Sequence, residues 1–250
     1  MPGEHVINRS PEAVPVPGGE ATPPVTGQPA GGPAPPVAGL YGKLPSRGDF
    51  VERRLSDAFV DRWDVFLDEG LRAAAGVLGE RFAERYLVAP FWRFALGAGV
   101  AGDFTVVGVF APSVDKVGRY FPLTVAAELA PGVGAAAGIA AAEAWLAQAE
   151  ALIYDALGPE AGFEALDEGV AALPVAEPPA AAEAPDGGRM ISSPLLAQGL
   201  VGVLPPAAVP VIFWTLGSVD LPPRLITFGG LPPAARFAAL LDGAWEGVGT

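Results

Sequence analysis

Three short apolar runs in close succession constrain this chain more than anything else in it. Residues 91–96 (Phe-Trp-Arg-Phe-Ala-Leu) alternate large and small side chains, the period of a strand. Thr105 to Ala111 is a second run, joined to the first by a hairpin through Gly97, Gly99 and Gly102. Phe121 to Ala127 gives a third after a charged loop. Parallel neighbours need a crossover of about a dozen residues or more, usually a helix. The short links here predict an antiparallel meander and exclude a doubly wound parallel sheet.

Other elements flank that meander. Leu40 to Leu44 reads as a short strand ending at Pro45. Ser56 is a helix cap, and Phe59, Trp63, Phe66, Leu67 and Leu71 follow at spacings of three and four, with Gly76 and Gly79 as stops. Ala135 to Leu157 is an alanine-rich helix. Val209 to Leu216 and Leu225 to Phe228 read as strands, and a last helix runs from Pro233 past Leu241 towards Trp245. Residues 1–39 hold Pro-Pro pairs at 23–24 and 35–36 and almost no large apolar side chains. This stretch is read as a disordered, partly polyproline tail, and it lacks the pattern of a signal peptide. Residues 158–189, rich in Ala, Pro and Glu, read as a variable linker inside one domain spanning 40–250.

Composition removes several kinds of chemistry. With no cysteine there is no disulfide, thiolate metal site or cysteine nucleophile. The sole histidine, His5, lies in the tail, which excludes a Ser-His-Asp triad and a histidine-bound zinc. No cofactor is implied. A net charge of −13 argues against nucleic acid and anionic membranes. The charge is uneven: residues 43–119 are neutral overall, whereas residues 120–250 carry −11, an excess read as promoting solubility. Residues 190–219 contain no charge, but Pro194, Pro205, Pro206 and Pro210 break any helix there. Val209 to Trp214 is read instead as a strand buried on both faces.

Two polar clusters are the candidate sites. Gly42 to Phe50 (Gly-Lys-Leu-Pro-Ser-Arg-Gly-Asp-Phe) contains Lys43, Ser46, Arg47, Asp49 and Phe50 but lacks the spacing of a phosphate loop. Either Gly48 permits a tight turn, with Ser46 or Asp49 bonding local amides, or the loop docks a partner. Pro112 to Pro122 holds Asp115, Lys116 and Arg119. Its single carboxylate makes no cage for a hard cation. Asp49 and Asp115, at strand ends, form a conceivable acid–base pair. Trp63, Trp92, Trp145, Trp214 and Trp245 lie in apolar patterns, with Trp214 and Trp245 the better interface candidates.

Together, Tyr41 to Phe50, Pro112 to Asp115 with Gly118 to Pro122, and Phe213 to Ser218 resemble the TagF (ImpM) family associated with bacterial type VI secretion. Trp63-Asp64 and Leu231-Pro232-Pro233 with Phe237 and Leu241 are similar to it too, so the likeness runs over about residues 40–245. The resemblance implies a three-layer α-β-α sandwich with a mixed, largely antiparallel sheet. It implies a cytoplasmic, non-enzymatic repressor of secretion that binds a forkhead-associated scaffold protein. An adaptor or structural accessory subunit of the secretion apparatus and a carboxylate- or metal-dependent enzyme are the alternatives. Partner contacts are expected from Lys43, Ser46, Arg47, Asp49, Phe50, Asp115, Lys116, Arg119 and Trp214, with Lys43, Arg47 and Arg119 on exposed loops.

Overall fold

The computed structural model describes residues 38–158, 161–174, 182–183, 189–190 and 210–245. Among these, the elements in chain order begin with β1 (Ala38–Gly42), β2 (Val51–Arg53), α1 (Asp57–Leu78), α2 (Phe82–Leu87), β3 (Trp92–Leu96), β4 (Val106–Ala111) and β5 (Leu123–Glu128). They continue with α3 (Ala135–Ala156), α4 (Phe163–Ala172), β6 (Ala182–Glu183), β7 (Arg189–Met190), β8 (Val211–Thr215), β9 (Arg224–Phe228) and α5 (Phe237–Asp242). Seven strands form one sheet in the order β2-β1-β5-β4-β3-β8-β9, and β6 pairs with β7 separately.

The expected meander is present: β3, β4 and β5 are consecutive antiparallel neighbours, in register from Trp92 with Phe110 to Ala111 with Leu123. Every ladder in the sheet is antiparallel, so the expectation of a mixed sheet is corrected. Helices cover both faces. On one, Phe59, Trp63, Phe66 and Leu67 of α1 and Phe237 of α5 pack against Trp92, Phe94, Phe110 and Phe213. On the other, Ile139, Leu146 and Ile153 of α3 and Leu166 of α4 pack against Val107, Val109, Val125 and Ile212. Alternate residues of each central strand therefore enter different cores, and the strands read as nearly continuous apolar runs because both faces are buried.

The caps follow the sequence. Ser56 accepts the Phe59 N–H at 3.3 Å, and its hydroxyl donates to Glu128 at the end of β5. The helix passes through Gly76 and stops at Gly79, where φ is +54°. Trp63, fully buried, donates its indole N–H to Thr124 of β5 at 2.9 Å, fixing α1 to the sheet by a directional bond as well as by packing. At Gly70, an added Cβ would lie 2.3 Å from the Phe237 ring, so the close approach of α1 and α5 requires glycine there.

Several expectations are corrected. Strand β1 starts at Ala38, two residues inside the segment read as tail, while residues 1–37 lie outside the described residues. The stretch read as a linker contains α4, whose Phe163, Leu166 and Val170 are buried at helical spacing. Neither β2 nor α2 was expected from the sequence. Trp214 is 1% exposed, inside β8, and presents no surface to a partner. Of the uncharged stretch, 211–215 is the buried strand expected, and 191–209 lies outside the described residues. Among the described residues no helix is long and apolar enough to cross a membrane.

The α3 layer also carries a charge cluster that the sequence reading missed. Arg93 of β3 is 2% exposed and faces α3. Its guanidinium binds Glu150 through two parallel bonds of 2.7 Å and Glu143 at 3.0 Å. Burial alone would lower its pKa, but the Glu150 hydrogen bonds and the charges of Glu150 and Glu143 raise it instead. The two glutamates are seven residues apart, two turns on one side of α3, and so fix which face of an alanine-rich helix meets the sheet. Glu150→Ala leaves the enclosed guanidinium half-partnered and is expected to lower stability by roughly 3 kcal/mol in urea denaturation, whereas exposed Asp155→Ala stays within about 0.5 kcal/mol.

Candidate functional site

Topology brings the two polar clusters together. Strands β1 and β5 are antiparallel neighbours, with Tyr41 opposite Thr124, so the chain leaves β1 where it enters β5. The loop after β1 (residues 43–50) and the loop before β5 (residues 112–122) therefore meet at one end of the sheet. The approach is close: Gly42 has φ +135°, and a Cβ there would lie 2.0 Å from the Pro122 carbonyl oxygen. Only glycine meets both demands.

Asp115 ties the loops to each other. One carboxylate oxygen accepts from the Lys43 ammonium at 2.7 Å and from Arg119 Nε at 2.6 Å. The other accepts the backbone N–H groups of Val117 at 3.0 Å and Arg119 at 2.9 Å. Burial alone would raise this carboxyl, but the Lys43 bond, the Arg119 amide and guanidinium and the Val117 amide outweigh it. They hold it well below the usual carboxylate range. With four donors on two oxygens, a carboxylate has spent its acceptor capacity. Asp115 thus has no lone pair left to take a proton from a substrate or to bind a cation, which removes it from the acid–base pair weighed with Asp49.

Around that carboxylate the loops are stitched further. Arg119 also donates to the Gly48 carbonyl, the Lys116 N–H donates to Arg47 at 2.9 Å, and Ser113 Oγ donates to the Lys43 carbonyl at 2.7 Å. Tyr86 of α2 donates its hydroxyl to the Ser113 carbonyl and accepts the Ser113 N–H, both at 3.0 Å, and burial pushes its pKa up. The Lys43 ammonium lies 4.9 Å from the Phe50 ring centroid, and Phe50 packs edge-on against Phe121 at 4.8 Å.

The expected site residues therefore divide. Lys43, expected on an exposed loop, is 5% exposed and serves as the buried counter-ion of Asp115. Asp115 is buried with it, whereas Arg119, bonded to Asp115 and Gly48, keeps a side chain that is 58% exposed, as expected. Ser46, Arg47, Asp49, Phe50 and Lys116 are exposed, as the docking reading requires. Gly48 has no left-handed backbone, and open space surrounds its Cβ direction, so the turn does not depend on glycine. Among the described residues, no group of three His, Cys, Asp or Glu side chains is placed to hold a metal ion.

Five further residues belong to this surface: Arg53 and Arg54, and Phe163, Glu164 and Asp167 of α4. Helix α4 places the Phe163 ring against two guanidiniums, with Arg47 at 4.9 Å and Arg53 at 4.8 Å from its centroid. Glu164 binds Arg47 at 2.6 Å, and Asp167 binds Arg54 at 2.6 Å. The available signal was the 163-166-170 apolar spacing, which a run of Ala, Pro and Glu on either side obscured. A cleft of about 350 Å³ opens among these side chains, lined by Arg47, Asp49, Phe50, Arg53, Lys116 and Phe163 among others.

Residues 39–173 match the sequence profile of the TagF N-terminal domain, described as type VI secretion system-associated. The chain belongs to the TagF family. Among solved structures, this TagF chain is similar to the 2.05 Å crystal structure of PA0076 from Pseudomonas aeruginosa PAO1. The two share 36% identity with a TM-score of 0.71, over 85% of this chain and 97% of that one. No curated protein sequence matches. The profile spans β1 to the end of α4, so both loops of the site lie within the part that defines the family.

The Asp115 cluster should be visible in the pH dependence of stability. A carboxyl whose native pKa is depressed stabilises the fold above its unfolded pKa of about 4 and loses that contribution as pH falls below it. The urea midpoint of the wild-type chain is expected to fall more steeply from about pH 5 to pH 3 than that of Asp115→Asn. Equal slopes would show that Asp115 carries no such charge coupling.

Proposed function

We propose that this TagF-family chain is a post-translational repressor of type VI secretion that works without chemistry, by binding a forkhead-associated scaffold protein in the cytoplasm. The observation supporting it is the division of labour at the two loops. The inner groups, Lys43, Asp115 and the Arg119 Nε, are consumed in holding the loops together. The outer groups, Ser46, Arg47, Asp49, Phe50 and Lys116, are exposed on a braced backbone. A preorganised, chemically spent site with an exposed rim suits recognition, because little conformational freedom is lost on docking.

Repression then follows from mass action. A chain that occupies a scaffold surface lowers the free scaffold in proportion to its concentration over the dissociation constant. Deleting the gene is expected to raise secretion output, and the purified chain is expected to retain the scaffold on a column. Lower output on deletion would instead mark an adaptor, and unchanged output would end the repressor reading. Arg47→Glu is a suitable surface probe for the retention assay. Arg119→Glu is not, since it sets a second carboxylate against Asp115.

A further inference from the structure

We infer that the cleft beside the two loops takes a carboxylate-bearing, acidic segment of the partner protein, and that Glu164 occupies part of that position in the free chain. The inference rests on reading the chain as a binding module and specifies what that module recognises. Three cations, Arg47, Arg53 and Lys116, line the cleft against one lining carboxylate, Asp49, in a chain whose net charge is −13. Carboxylates of α4, Glu164 and Asp167, stand against Arg47 and Arg53, so an acidic ligand meets Lys116, unpaired among the described residues, and takes over arginine donors that the chain's own carboxylates hold in the free state.

The chain itself shows what fits. Glu164 reaches from the first turn of α4 to place a carboxylate oxygen 2.6 Å from Arg47 Nη2, with the guanidinium seated over Phe163. Arg53 lies over the same ring and is 3.5 Å from Asp167. The two arginines are thus held by one aromatic ring with their donors facing carboxylates, a geometry suited to planar acidic groups. Among the described residues, Lys116 makes no ion pair, which leaves one lining cation for the incoming ligand. Phe50, 48% exposed, lines the site with apolar surface, so an acidic segment bearing one apolar side chain matches it best.

The Arg47–Glu164 pair is open to solvent on both sides, 46% and 73% exposed, which makes it a weak contact that a better-placed carboxylate displaces. Glu164 therefore acts as an internal competitor. Removing its charge strengthens binding, and removing the cations weakens it.

The test uses the full chain and a fluorescein-labelled Glu-Glu-Leu-Glu-Glu peptide, with the all-glutamine counterpart as control, read by fluorescence anisotropy at low salt. The acidic peptide is expected to bind and the glutamine peptide not. Glu164→Gln is expected to tighten binding about threefold, and Arg53→Gln with Lys116→Gln to weaken it about tenfold or more. Thermal melting of each variant confirms that it is folded. Equal binding of the two peptides, no binding of either, or an unchanged affinity in Glu164→Gln overturns the inference. So does displacement of the peptide by an equal concentration of inorganic phosphate, which would make the cleft a small-anion site. Scaffold retention separates the two claims. Retention unaffected by Arg53→Gln with Lys116→Gln removes the cleft from the interface but leaves the binding role standing. Failure of the wild-type chain to retain the scaffold ends the role whatever the peptide does.

Discussion

The Asp115 carboxylate accepts four hydrogen bonds, two from the backbone of its own loop and two from charged side chains, one of them Lys43 on the neighbouring loop. Burial makes each of these bonds obligatory, because an enclosed carboxylate or ammonium without its partner bears the full penalty of lost hydration. Neither loop holds its shape by apolar packing alone. The sheet brings them to one place, Gly42 lets the backbone pass Pro122, and the ion pair then sets their relative position. The exposed rim inherits its geometry from that arrangement. Arg47, Phe50 and Lys116 project from a backbone whose conformation is fixed from beneath.

A second set of ion pairs joins the neutral and acidic halves of the sequence. Arg93 meets Glu143 and Glu150, Arg47 meets Glu164, and Arg53 and Arg54 meet Asp167. In each case the arginine comes from the segment between 43 and 119 and the carboxylate from α3 or α4. The acidic excess after residue 120, read from sequence as a device for solubility, is thus partly the complement of arginines in the sheet and its loops. This matters because α3 is rich in alanine, whose small side chain discriminates weakly between one helix face and another. Buried or half-buried charges at defined spacing supply the missing directionality. Arg54 shows how firmly α4 is held: with φ at +59°, it donates to the Ala38 carbonyl of β1 and to the Asp167 carbonyl of α4.

What could be read from the sequence follows from these two kinds of force. Elements governed by side-chain period were legible: the β3–β5 meander, α1 from its Ser56 cap and 59-63-66-67-71 spacing, and the apolar β8. The two polar loops were also legible as the candidate site, because density of charge between strands is a local property. Their internal division was not. Nothing local distinguishes Lys43, buried against a carboxylate 72 positions away, from Lys116, exposed on the next loop. The same limit hid the glutamate partners of Arg93, while Trp214, in a strand read as buried on both faces, was kept as an interface candidate only because it lies near the strand's end. Helix α4 was missed for another reason: its three apolar anchors were there to read, but a flanking composition typical of linkers outweighed a short period.

The acidic segment proposed for the cleft would meet an acidic protein, an electrostatic conflict that the range of the forces resolves. At physiological ionic strength charges are screened beyond about 8 Å, so the net charge of −13 acts mainly on solubility and on the rate of encounter. Within that distance, the side chains lining a particular cleft decide which groups are welcome. Arg47 and Arg53, braced by Phe163, and Lys116 on the backbone fixed by Asp115 form such a neighbourhood. The general repulsion adds selectivity, since an acidic surface that does not place its carboxylates in the cleft gains nothing to offset it. Placing Glu164 at the same position narrows the choice further, because a ligand must then bind Arg47 better than a carboxylate already tethered beside it.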